Sequence, residues 1–387
     1  MTDIYLDNAA ATPLAPQARR AMAQAATHYG NPSSFNDAGR AAATALRTAR
    51  ESIATFLHAR PDEIVFCASG SEANTLAILG SVRARGAGEV LTAATEHLSV
   101  LEPVATLQKG KRPRASIPVD AMGCIRVEDV VARLTSTTTL VSIMYANNEI
   151  GTLQPIARIG QAIAQWRKDH RSAYPLFHVD ACQATATLPM DVQRLHADLL
   201  SFNGAKAYGP HGTAVLFVRR GVVLDPLVRG GSQEQGRRAG TEDVSGACGL
   251  AAAVKIITPK DGIRLAKLRD QLITGIVRAV PDAHLNGPTG NERLSGNVNI
   301  SIPDCDSESL LLELDRHGIR AGSGSACTAH RVEPSHVLVA IGTPKRYLEG
   351  ALRFSLGRHT TQKQITAVVK ILPNVVARVR SRRARAS

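Results

Sequence analysis

Six short apolar runs, at residues 64–67, 89–92, 140–144, 176–179, 198–202 and 214–218, constrain this chain more than anything else in it. Each is long enough for a buried strand and too short for a buried helix. Five of them stop at a cluster of polar or small residues. The first runs from Cys67 into Ala68-Ser69-Gly70-Ser71, and the second ends near Thr95-Glu96-His97. The third ends at Tyr145-Ala146-Asn147-Asn148, the fourth at Asp180, and the fifth at Asn203-Gly204-Ala205-Lys206. Helical stretches separate them, the clearest being residues 37–57, rich in alanine with arginines on one face. Strands alternating with helices predict an α/β fold with a largely parallel sheet. In such sheets ligands collect beyond the carboxyl ends of the strands, where these clusters lie.

Asp180 and Lys206 stand out among the strand ends. A carboxylate and an amine delivered from neighbouring strands suit pyridoxal 5'-phosphate, which needs a lysine for its aldehyde and an acid to keep its ring nitrogen protonated. The plain alternative makes Asp180 a helix cap and Lys206 a solvated cation. Gly204 before the lysine and Tyr208-Gly209-Pro210 after it argue for a lysine held in place. The Gly70-Ser71 turn, where a strand meets a helix, offers free backbone N–H groups for a phosphate. The same residues would serve as an ordinary N-cap. Asn148 is a neutral amide that can hydrogen-bond the ring O3' and a substrate, and Gln183, one helical turn after Asp180, is placed to touch O3' too.

Six cysteines, at 67, 124, 182, 248, 305 and 327, are scattered with no C-x-x-C pair, so neither a zinc site nor a disulfide framework is indicated. Cys327 differs from the rest. It sits in Gly322-Ser323-Gly324-Ser325-Ala326-Cys327-Thr328, a small, polar run that predicts an exposed thiol, either one able to ionise and attack or an incidental surface cysteine. Arg353, flanked by Leu352 and Phe354, needs a partner for its charge. An internal salt bridge would supply one; the α-carboxylate of an amino-acid substrate, matched by the guanidinium fork, is the reading favoured here. The net charge of +13 owes part of its size to the tail that starts at Arg378. That tail is expected to be a solubilising end, and direct nucleic-acid binding is not expected. No apolar run spans a membrane and no secretion signal is visible, so the expected location is the cytoplasm.

Three motifs, HVDACQ at 178–183, SFNGAKAYGPHG at 201–212 and SGSAC at 323–327 followed by EPSH at 333–336, together give the chain a resemblance to a family. It resembles the cysteine desulfurases of the NifS and IscS type, from Tyr5 to about Thr361. The resemblance implies an aspartate-aminotransferase-like α/β fold. A large cofactor domain at 15–258 would carry a mostly parallel seven-stranded sheet. Residues 1–14 and 259–376 would form a smaller α+β domain, and 377–387 a disordered basic tail. It implies pyridoxal 5'-phosphate held by Lys206, Asp180, Gln183, Asn148, Gly70, Ser71 and Asn203, with His97 stacked on the ring as a proton shuttle. It implies a homodimer in which Thr241 reaches the other subunit's cofactor phosphate. Arg353 and Asn148 would bind L-cysteine, Cys327 would take its sulfur as a persulfide, and an acceptor protein would receive it, in iron–sulfur assembly, tRNA thiolation or DNA sulfur modification.

Two positions depart from the family pattern. Ala205 stands where a histidine is common, and Asn203 where serine or threonine is common; both usual residues donate to the cofactor phosphate. Weaker cofactor retention is the expectation. Asn36 also replaces a usual histidine. An aminotransferase or selenocysteine lyase of the same fold is the alternative enzyme, since neither in general needs Cys327. A non-enzymatic thiol or iron–sulfur carrier would need clustered cysteines, which the chain lacks.

Overall fold

The six runs form one sheet in a computed structural model that describes residues 3–107, 117–324 and 334–386. In chain order the strands are β1 (Ile4–Tyr5), β2 (Ile64–Cys67), β3 (Glu89–Leu91), β4 (Thr138–Met144), β5 (Leu176–Asp180), β6 (Leu199–Asn203), β7 (Ala214–Val218), β8 (His284–Leu285), β9 (Asn297–Ser301), β10 (Ile319–Arg320) and β11 (Ala351–Ser355). The main sheet has the order β2-β7-β6-β5-β4-β3. Neighbours from β3 to β6 pair in parallel, while β7 runs antiparallel to both β6 and β2. Among the described residues the sheet has six strands where seven were expected. Beyond β3, the described residues add a single parallel bridge, Ala93 to Ile117.

These strands read as unbroken apolar runs because both faces of the sheet are covered. Successive side chains point to opposite faces. Val141, Ile143, Phe177, Val179, Leu200 and Phe202 enter one core, whereas Leu140, Leu176, Leu199 and Leu216 enter the other. The helix Asp37–Leu57 covers the first face with Ala42, Leu46, Ala49 and Ile53, spaced by three or four residues. Asn36, the unexplained departure, caps this helix by accepting from the Gly39 N–H at 2.8 Å.

A second core lies beyond the sheet. It joins Ile4 and Leu6 to Leu265, Leu268 and Leu272 of the helix Pro259–Ala279, to β9 and β11, and to Val368, Leu372 and Val375. Strand β1 pairs in parallel with β10, and bridges from Asp7 to Ser355 and from Gly322 to Arg353 fasten that pair to β11. The first residues of the chain therefore lie against its last third.

The helix Ser307–Arg316 is capped by Asp306, which accepts from the Ser309 N–H at 2.8 Å. Ser307 donates to the carbonyls of Glu349 and Ala351. One expectation needs correcting. The basic tail expected to be disordered continues the last helix, Gln362–Ala386. Its arginines are matched to acids: Arg378 and Arg382 to Glu313, Arg380 to Asp282, and Arg383 to Glu349. Composition alone counted the positive charges and missed the acids waiting on neighbouring elements. Among the described residues no helix is long and apolar enough to cross a membrane.

Candidate active site

Strand register brings the site together. Asp180 lies beside Met144 on β4 and Ser201 on β6, so three strand ends open at one edge. There a cavity of about 410 Å³ forms, within the usual range for a small-molecule site. Lys206, Asp180, His97, Asn148, Gln183, Gly70, Ser71, Asn203 and Arg353 all line it. Thr241 lies on an exposed stretch outside the cavity. Cys327 lies outside the described residues, but Gly324 and His336, which flank its segment, are in the cavity wall.

Lys206 is held as its glycine-bounded turn suggested. It ends the short turn Gly204–Lys206, where a Cβ on Gly204 would meet the Pro210 carbonyl oxygen at 2.3 Å. The turn is tied to the N-terminal loop. Ala205 O accepts from the Thr12 N–H at 2.7 Å, and the Tyr208 N–H donates to Thr12 Oγ1 at 2.8 Å. Lys206 Nζ donates to the Ala10 carbonyl, and Gln183 Nε2 donates to Ala9 O at 3.0 Å.

Asp180 is 5% exposed and well supplied with donors. Oδ2 accepts from Asn74 Nδ2 at 2.8 Å and Oδ1 from the Cys182 N–H at 3.0 Å. His97 Nδ1 accepts from the Ser99 N–H at 3.1 Å and lies 2.8 Å from Ser99 Oγ. Burial pulls the His97 imidazole below its ordinary pKa, with Lys206 and His336 acting the same way and Asp180 and Glu149 opposing.

Arg353 is 2% exposed. It has an internal partner: Nη2 donates to Asp7 Oδ1 at 3.0 Å, and Nη1 to the carbonyls of Asn148 at 3.0 Å and Gly324 at 2.9 Å. Its Nε is buried with no hydrogen-bond partner among the described residues, which leaves part of the fork for a carboxylate.

The residues present fit pyridoxal phosphate. Gly70 opens the helix Gly70–Thr75, and a Cβ there would meet Asn203 Nδ2 and Cys182 Sγ, both at 2.9 Å. Only a glycine leaves the first N–H groups of this helix open to a phosphate beside the Asn203 amide. Ala205 also lines the cavity but has no side-chain donor to offer.

Several contributors escaped sequence reasoning. Asn74, Cys182, Ser99, Glu149 and His336 were given no role. Asn74 carried a signal: it lies four residues after Gly70, so the helix puts both on one face. Glu149 gave none. It is 2% exposed and accepts from Ser335 Oγ at 2.5 Å.

The model of the aminotransferase class-V family matches residues 4–368. The chain belongs to the aminotransferase class-V family. Among the relatives of this class-V aminotransferase chain is the cysteine desulfurase IscS of Dictyoglomus turgidum, 39% identical over 98% of this chain and 96% of its own. A NifS-like protein of known structure superposes with a TM-score of 0.88 at 29% identity, covering 97% of this chain and all (100%) of its own. The structure described as SspA in complex with cysteine is similar at a TM-score of 0.79 and 32% identity, over 92% of this chain and 100% of that one.

Proposed function

We propose that this chain is a cysteine desulfurase, converting L-cysteine to L-alanine with transfer of the sulfur to Cys327. One observation carries the reading. An amine (Lys206), an acid (Asp180) and a buried guanidinium (Arg353) face one cavity, and both flanks of the Cys327 segment lie in its wall. Of the relatives named above, one is a cysteine desulfurase, one a NifS-like protein, and one is described in complex with cysteine.

In this reading Gly70, Ser71 and Asn203 would hold the cofactor's phosphate, and Asp180 its ring nitrogen. Bound there, pyridoxal phosphate supplies an aldehyde for imine exchange and a ring that spreads negative charge from the substrate Cα. The chain's own groups do the rest. Asp180 holds a proton at the ring nitrogen. Arg353 and Asn148 fix the substrate, Arg353 by its carboxylate. Lys206, once its amine is released, moves the α-proton as a general base. The Cys327 thiolate forms an S–S bond to the substrate sulfur as the Cβ–S bond breaks; the electron pair left on Cβ takes a proton and becomes the methyl of alanine.

The same reading places the enzyme in the cytoplasm as a homodimer, with Thr241 serving the partner's cavity and an acceptor protein collecting the persulfide sulfur. Tyr29 and Phe35, 89% and 94% exposed, are apolar groups that a second subunit would cover.

The test is the visible spectrum of the purified protein, followed by alanine and sulfide assays with L-cysteine. A visible band lost in Lys206→Ala, with alanine release lost in Cys327→Ala, is the expected result. Alanine release that survives Cys327→Ala would point to the lyase or aminotransferase chemistry of the same fold.

A further inference from the structure

Behind the cavity runs a chain of buried polar groups that the desulfurase reading does not use. It links the two residues expected to face the cofactor ring from different sides, Asp180 and His97. Asn74 is 1% exposed and stands between them. Its Nδ2 lies 2.8 Å from Asp180 Oδ2 and 2.8 Å from Ser99 Oγ. Its Oδ1 contacts Ser201 Oγ. Ser201 Oγ is 3.2 Å from His178 Nε2, and His178 Nδ1 is 2.8 Å from Ser142 Oγ.

The direction of every bond follows from Asp180. A carboxylate only accepts, so the amide nitrogen of Asn74 faces it and the amide oxygen faces Ser201. Ser201 must then donate its single O–H to Asn74 Oδ1, which leaves its oxygen to accept from His178. His178 therefore carries its proton on Nε2. Burial holds it neutral, with a pKa lowered to about 4, so its bare Nδ1 accepts from Ser142. On the other branch, Asn74 spends its second N–H on Ser99 Oγ. Among the hydrogen bonds of the described residues, the Ser99 hydroxyl proton then has His97 Nδ1 as its acceptor. The Ser99 backbone N–H points at the same nitrogen, at 3.1 Å.

We infer that Asn74 is a positioning residue that clamps Asp180 and, through Ser99, fixes His97 as the tautomer with its proton on Nε2. Two donors converge on Nδ1, so a proton cannot sit there without opposing them. That leaves Nε2 as the one ring nitrogen through which His97 can exchange protons with the cavity. The amide that orients the ring-nitrogen acid thus also sets the proton location on the shuttle. The shuttle role rests on the desulfurase reading; the tautomer does not.

The test is imidazole nitrogen NMR on full-length protein carrying labelled histidine, as purified and again after cofactor removal. His97 is assigned by loss of its signals in His97→Gln. The expected wild type has a protonated Nε2 and a bare Nδ1 shifted by hydrogen bonding. Ser99→Ala removes the hydroxyl donor, so the Nδ1 resonance moves toward that of a free acceptor. The midpoint of His97 protonation also rises, because the donor that opposed the charged ring is gone. Asp180, Lys206, His336 and Glu149, the charged groups facing His97, are unchanged by that substitution. Ser99→Thr keeps the hydroxyl and should restore both readouts. Asn74→Ala should move them as Ser99→Ala does, and the serine pair decides the matter if that variant does not fold. A wild-type His97 protonated on Nδ1, or a Ser99→Ala protein with both readouts unmoved, overturns the inference. Expected spectra in a protein that makes no alanine from cysteine would count against the desulfurase reading alone.

Discussion

Under the proposed function, Ala205 is the residue whose departure from the family pattern bears on cofactor retention. It lines the cavity, and its carbonyl is already taken by Thr12. A histidine there would add a donor where the wild type has only a methyl. Ala205→His should slow cofactor loss on dialysis, by roughly tenfold for one charge-assisted hydrogen bond; an unchanged loss rate would show that Asn203 and the Gly70 turn already suffice. Arg353→Lys keeps the charge and discards the fork. The KM for L-cysteine should rise by about tenfold or more, with the spectrum intact. His178 gives a pH prediction. Its folded pKa is lowered to about 4 from 6.5 by burial. Above 6.5 both folded and unfolded forms are neutral and its contribution is fully present. As pH falls from about 6.5 toward 4 the unfolded chain takes up a proton that the folded one refuses, and stability drops by about 3 kcal/mol. Denaturation melts across that window should show the fall, and His178→Gln should flatten it.

Elements were read from the sequence with uneven success, for identifiable reasons. β2 and β7 match the expected runs because a strand covered on both faces leaves no polar residue inside it to blur its ends. The Gly204–Lys206 turn was legible because Gly204 and Pro210 are needed for their close approach. The tail was not, since the partners of its arginines lie far off in sequence. Glu313, held below the ordinary carboxylate range by its hydrogen bond to Arg378 and then by Arg316, is the centre of that contact. Glu313→Gln should speed amide exchange along residues 378–386 more than anywhere else in the chain. Equal protection in both proteins would mean that Val375, Val376 and Val379 anchor the helix unaided. The loop after β7 is pinned by Arg50, whose two nitrogens each lie 2.7 Å from Glu234, at a place where Glu234 adopts a φ of 47°. Neither this ion pair nor the Arg238–Glu72 pair at 2.8 Å shows in the loop's composition.

Across the whole molecule, the residues that name a chemistry were readable and those that hold them were not. Lys206, Asp180 and Arg353 each carry a charge in an apolar or glycine-bounded setting, an anomaly visible in one dimension. Ser201 is an ordinary residue made special by its register opposite Asp180, and Asn74 and Ser99 are ordinary helix residues made special by the hydrogen bonds that join them to Asp180. Glu149 likewise has meaning only beside Ser335. The join between chain beginning and chain end has a temporal consequence. Asp7 meets Arg353 across 346 positions, and Lys206 touches Ala10 across 196. During synthesis Asp7 must therefore wait for its ion-pair partner until residue 353 has been made. Chains cut short before that point would lack part of the cavity wall, and under the proposed function should not retain the cofactor.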